Sequence, residues 1–139
     1  PSMMSYEVHA SKDSMFNTPP VFAVYTSMLN MRWIESQGGI RSLGDKNSVK
    51  STLLYGEIDR NSLFEGFAAK EDRSDMNATF NLKDTAYTEA FDSLCQTAGI
   101  SGLKGHRSVG GYRASMYNAM SIESVEILVD CMQILEKKQ

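Results

Sequence analysis

The sequence predicts an α+β fold, a small antiparallel or mixed sheet with helices on one face. Three observations carry that expectation. Apolar residues recur at helical spacing in separate stretches of the chain, most regularly over Val125, Leu128, Met132 and Leu135. "MNATFNL" (76–82) alternates apolar and polar residues, the mark of a half-buried strand. "YRASM" (112–116) alternates in the same way, just after a Gly110–Gly111 break.

Taken in order, residues 1–17 show no clear period and are expected to be an extended lead-in. "NTPP" (17–20) then signals a helix start, with Thr18 as N-cap and Pro19 at the first helical position, where its missing N–H costs nothing. From Val21 to Ile34 apolar residues fill more than one stripe, so this helix needs cover on two sides. Gly38–Gly39 ends it. A second helix is expected over about 40–58, diluted by Gly44 and several Ser and Asn residues. A short strand is expected near Leu63–Phe67, followed by the strand at 76–82. Asp84 can cap a helix with Tyr87, Phe91, Leu94, Cys95 and Ala98 on one face, closed by Gly99. In 112–117, Tyr112, Ala114 and Met116 share one face, and Arg113, Ser115 and Tyr117 the other. Ser121 caps the last helix, with Met120 and Val125 at hydrophobic-staple positions.

A chain of 139 residues with 42% hydrophobic and 22% charged residues has the composition of one globular domain. Its net charge of −3 makes non-specific nucleic-acid binding a poor expectation, so any functional cations must act locally. No apolar run approaches the roughly 20 residues that span a membrane, and no secretory signal pattern is visible. Cys95 and Cys131 lack metal-ligand spacing and fall within apolar helical patterns, which suits buried free thiols in a cytoplasmic protein. No metal site is expected. The chain begins with Pro1, as a piece of something longer or a processed product would.

Two segments could carry chemistry. In "GHRSVGGYRAS" (105–115), Arg113 faces away from its apolar strand neighbours, and an arginine fork matches carboxylate or phosphate oxygens two at a time. His106 and Arg107 could serve a second anionic group, with the two glycines bending the backbone between the sites. The same three cations also fit a solvated hairpin turn that binds nothing. In "SMFNTPP" (14–20), Asn17 and Thr18 stand at a helix start, either a phosphate site or a plain cap. No nucleophile, general base or phosphate loop accompanies these groups, so the chain reads as half of a site.

"SMFNTPP", "GHRSVGGYRASMYNAM" (105–120) and "RSDMNATF" (73–80) together resemble the C-terminal part of the phosphoserine aminotransferase family, within the fold type I, class V aminotransferases. The resemblance covers the chain from Pro1 to its C-terminus. It implies residues 1–17 as the lead-in from a large cofactor-binding domain and 18–139 as the C-terminal small domain, preceded by a long interdomain helix. It implies a pyridoxal 5'-phosphate enzyme, cytoplasmic and homodimeric. Such an enzyme exchanges an amino group between L-glutamate and 3-phosphohydroxypyruvate, giving O-phospho-L-serine and 2-oxoglutarate in serine biosynthesis. By the same resemblance Arg113 pairs with the substrate carboxylate, His106 and Arg107 bind its phosphate, and Asn17 and Thr18 reach the cofactor phosphate of the partner subunit. The Schiff-base lysine belongs to the large domain, upstream of Pro1, so the 139-residue chain is expected to be inactive alone. Tyr112 stands where many relatives have Met, and Ser5 where an acidic residue is expected. Alternatives are a free-standing, non-catalytic anion-binding module, or another class V aminotransferase. The His106–Arg107 pair argues against the latter, because it calls for a second anionic group in the substrate.

Overall fold

The computed structural model of the chain describes residues 1–105 and 110–138. Two compact units make it up, Pro1–Ile40 and Arg41–Gln139.

In the first unit a 3-10 turn, Ser2–Met4, leads into helix α1, Tyr6–Ala10, and a turn precedes helix α2, Val21–Ser36. The lead-in is therefore coiled, not extended as expected. Its order is local. His9 Nε2 lies 2.9 Å from the Met3 carbonyl, its ring meets Phe16 edge-on at 5.7 Å, and Asp13 and Ser14 turn the chain with positive φ. No apolar period betrays it, because α1 is five residues long and buries none of them.

The start of α2 also differs. Thr18 is not its cap and Pro19 is not its first residue. A residue before proline is driven out of the α region, which bars Pro19, before Pro20, from the first helical position and so takes the cap position away from Thr18. The chain instead makes an inverse γ-turn at Pro20 (φ −74°, ψ 71°), with Val21 N–H donating to the Pro19 carbonyl at 2.8 Å. The helix then begins at Val21 and ends before Gly38 and Gly39, both left-handed. Phe22 is 81% exposed and no α2 residue is buried, so the expected two-sided apolar surface is present and open.

The second unit is the α+β layer. Helix α3 runs Gly39–Arg60, so its first two residues belong to the first unit. Strands β1 (Phe64–Gly66), β2 (Asn77–Leu82) and β3 (Tyr112–Ser115) form an antiparallel sheet in the order β1-β2-β3. The register sets Phe64 opposite Leu82, Phe80 opposite Tyr112 and Thr79 opposite Arg113. Helix α4 (Thr88–Thr97) precedes β3, and helix α5 (Ile122–Glu136) closes the chain. Asp84 caps the 3-10 turn Thr85–Tyr87 that leads into α4, accepting the Ala86 N–H at 2.8 Å, rather than α4 itself. Ser121 is the N-cap residue of α5, but its hydroxyl faces that of Ser124 at 3.4 Å instead of a backbone N–H.

One sheet face, with Phe64, Ala78, Phe80, Tyr112 and Ala114, packs on Leu54 and Ile58 of α3, Phe91 and Cys95 of α4, and Val125, Leu128, Met132 and Leu135 of α5. Phe91 is the hub of an aromatic cluster. Its ring lies 5.0 Å from Phe64, 6.5 Å from Phe80 and 5.0 Å from Tyr112. The Tyr112 hydroxyl reaches Asp92 at 3.0 Å, which lets a phenol sit in this core; burial and that carboxylate push its pKa up. Cys95 and Cys131 are free and buried, as expected. The other sheet face carries Glu65, Thr79, Asn81, Arg113 and Ser115.

Candidate functional site

Arg113 stands at the second position of β3, on the open face of the sheet. Period-2 alternation fixes that placement, since Tyr112 and Ala114 on either side are buried. Its backbone is held on both edges. Arg113 pairs with Thr79 in β2, and its N–H donates to the Leu103 carbonyl at 2.7 Å. The guanidinium is exposed and makes no ion pair or hydrogen bond among the described residues. It is thus a rigidly carried cation with its fork free for an anion. Two hollows flank it. One is lined by Phe67, Thr79, Asn81 and Tyr112, the other by Ser101, Leu103, Ser115, Tyr117 and Ser124.

Of the glycines beside Arg113, Gly110 is demanded by conformation and Gly111 by space as well. Gly110 and Gly111 have φ of 75° and 64°. A Cβ on Gly111 would collide with the Asn81 side chain and the Phe80 carbonyl, and one on Gly105 with the Gly110 carbonyl. Gly105 N–H donates to the Gly111 carbonyl at 2.8 Å, and Lys104 bridges to Tyr112. Gly105 and Gly111 thus meet at the edge of β3, on either side in sequence of the stretch that contains His106 and Arg107. Those two residues themselves lie outside the described residues.

Asn17 and Thr18 belong to the first unit, where both are exposed and their side chains make no hydrogen bond among the described residues. They immediately precede the two prolines and α2, a 16-residue helix with no acidic residue in its first turn. An amide and a hydroxyl ahead of a helix N-terminus are neutral donors, a set that fits a phosphate dianion.

"RSDMNATF" proves to be structural in the parts described. Arg73 makes a two-pronged bond to Asp59 at 2.9 and 2.7 Å and lies over the Tyr55 ring at 4.5 Å, tying the approach to β2 onto α3. Asp75 accepts the Ser51 hydroxyl at 2.6 Å. The lysines are committed elsewhere in several cases: Lys104 to Asp92 at 3.3 Å, Lys70 to Asp59 at 3.1 Å, and Lys50 to main-chain carbonyls. No cluster of metal-ligating side chains occurs among the described residues. No described helix is long and apolar enough to cross a membrane.

The described residues of the second unit form an α+β small domain that presents an arginine on the open face of one strand. Residues 1–128 match the family Aminotransferase class-V, and the chain belongs to that family. It is 59% identical over 138 residues to the phosphoserine aminotransferase of Flavobacterium johnsoniae, covering 99% of this chain and 39% of that protein. The Bacteroides fragilis phosphoserine aminotransferase is 51% identical over 139 residues, again covering 99% and 39%. Among solved structures, the phosphoserine aminotransferase of Bacillus circulans subsp. alkalophilus superposes with a TM-score of 0.86 at 39% identity, over 99% of this chain and 38% of that one. A phosphoserine aminotransferase from Trichomonas vaginalis, solved with pyridoxal phosphate bound, gives 0.81 at 37% identity over 96% and 38%. The chain therefore spans about 39% of the length of the curated relatives it matches.

Proposed function

We propose that this chain is the C-terminal, substrate-recognising part of a phosphoserine aminotransferase. The complete enzyme would move an amino group between L-glutamate and 3-phosphohydroxypyruvate, forming O-phospho-L-serine and 2-oxoglutarate. Residues 1–17 would be the lead-in from a large cofactor-binding domain and 18–139 the small domain. The enzyme would be a cytoplasmic homodimer. One observation carries this reading: identity of 59% across nearly the whole chain to an enzyme of that name, which Arg113, presented on a strand without a side-chain partner among the described residues, supports.

In this reading Arg113 binds and orients the substrate carboxylate through two parallel N–H···O bonds. A strand held on both edges keeps the fork in one place, so little freedom is lost when the substrate binds. His106 and Arg107 take the substrate phosphate, so that the two anionic groups of one small molecule meet protein cations at two separate places. Asn17 and Thr18 fit the phosphate of pyridoxal phosphate, which supplies the electron sink for amino transfer when bound. No lysine of this chain is assigned to the cofactor; that lysine belongs to the large domain.

The test is a chimera in which this chain replaces the matching C-terminal 39% of the Flavobacterium johnsoniae enzyme. Arg113→Gln in that chimera should raise KM for O-phosphoserine about 10- to 100-fold, the worth of a charge-assisted bidentate pair. A KM within twofold of the parent, in a variant with unchanged circular dichroism, would refute the assignment of Arg113.

A further inference from the structure

Helix α3 buries polar side chains against the turn that follows β3. Lys50 is 2% exposed, and its Nζ donates to the Tyr117 carbonyl at 2.8 Å and the Met120 carbonyl at 3.1 Å. One turn earlier on the same helix, Asn47 is 6% exposed and donates from Nδ2 to Asn118 Oδ1 at 2.7 Å. Among the described residues no carboxylate pairs with Lys50. A buried ammonium without a counter-ion is an expensive choice, and burial depresses its pKa. A methionine of similar length would fill the space without that cost. What methionine could not do is hold two carbonyls of one turn at a fixed separation.

That turn is the direct continuation of the strand that carries Arg113. The strand is fixed upstream by Thr79 and Leu103, and just past its end by Met116 N–H to the Met76 carbonyl at 2.7 Å. From Tyr117 to Met120 the side-chain bonds among the described residues come from α3. The end of β3 is thereby registered against a rigid 22-residue helix rather than left as a free loop.

We propose that Lys50, assisted by Asn47, is a positioning residue for Arg113: by clamping residues 117–120 onto α3 it sets where the guanidinium stands along the sheet. This deepens the proposed carboxylate-binding role of Arg113 and rests on it.

The test uses the chimera described above. Lys50→Met should raise KM for O-phosphoserine about 10-fold with kcat within about twofold, because a displaced clamp weakens ground and transition states alike. The inhibition constant of O-phosphoethanolamine, which has the phosphate and amine but no carboxylate, should stay within twofold. In an Arg113→Gln background the same substitution should add less than twofold. Equal losses for both ligands, or effects that multiply in the double variant, would overturn the positioning role. Asn47→Ala serves as the milder variant if Lys50→Met does not fold, with the same discrimination between ligands expected.

A second measurement separates this inference from the functional reading. In the 139-residue chain, Lys50→Met should speed amide hydrogen exchange at Arg113 and Met116 at least 10-fold, while Lys83, whose N–H donates to the Leu63 carbonyl, stays within twofold. Unchanged exchange at Arg113 would overturn the inference even in an active chimera. A folded but inactive parent chimera would overturn the proposed function and leave hydrogen exchange to decide the positioning.

Discussion

Replacing Gly66 by alanine should destabilise the second unit by about 1 kcal/mol, with the sign set by how firmly Arg73 is held. Gly66 lies in β1 opposite Phe80 and is not among the left-handed glycines, so backbone strain plays no part. A Cβ there would stand 2.8 Å from Arg73 Nη2 and 3.8 Å from Ile58 Cγ2. An arginine tip usually swings away from such a methyl. Here it cannot move freely, because both terminal nitrogens are bonded to Asp59 and the plane rests on Tyr55. Forcing a methyl into a packed site costs about 1–3 kcal/mol, and the Gly→Ala exchange in a strand returns about 0.5–1 kcal/mol through the unfolded chain. The net, about 1 kcal/mol, corresponds to a fall in Tm of roughly 4–8 °C for a unit of this size. Urea denaturation followed by circular dichroism reads it directly. In an Arg73→Ala background the methyl meets Ile58 at ordinary van der Waals distance and no guanidinium, and Gly66→Ala should then stabilise by about 0.5–1 kcal/mol. A Gly66→Ala protein as stable as its parent, or the same sign in both backgrounds, would show that the guanidinium is not pinned.

Three further outcomes are expected. The carboxyl of Asp59 is held down to about 2, chiefly by its bonds to Arg73, from an ordinary value near 3.8. Because the folded value is the lower one, this stabilisation is complete above pH 4 and is lost as pH falls toward 2. The shift corresponds to roughly 2.4 kcal/mol, and solvent screening of a side chain one-third exposed cuts it to about 1 kcal/mol. Asp59→Asn should flatten the acid limb of the stability curve by that amount. Burial, reinforced by Cys131, pushes the Cys95 thiol up to about 12, so a disulfide reagent at pH 8 should modify neither buried cysteine until the protein is unfolded. In the chimera, Arg107→Gln should weaken phosphorylated substrates at least 10-fold more than unphosphorylated ones; equal losses would remove the phosphate assignment.

Much of the second unit is legible along the chain because its core follows local periods. Alternation in 76–82 placed Ala78 and Phe80 inward, and the helical stripe of α5 placed Val125, Leu128, Met132 and Leu135 there. Arg113 was legible for the same reason, as the polar step between Tyr112 and Ala114. What escaped depends on partners far away in sequence. Lys50 and Asn47 look like solvated helix residues until the turn some 70 residues later is folded onto them. Of the Ser and Asn residues that dilute the helical pattern of α3, Asn47 and Ser51 are buried, as are the charged Lys50 and Glu57. The misplaced cap of α2 was a local error: two adjacent prolines displace the helix start by two residues. The coiled lead-in buries nothing and so leaves no pattern to find.

Amino transfer by the chimera of this chain with the large domain of the Flavobacterium johnsoniae enzyme tests the central claim most directly. With pyridoxal phosphate, glutamate and 3-phosphohydroxypyruvate supplied, the chimera should form O-phosphoserine at a rate within about 10-fold of the parent enzyme, while the 139-residue chain alone should form none. A folded, cofactor-loaded chimera without turnover, or turnover by the chain alone, would contradict the assignment of this chain as the substrate-recognising part of that enzyme.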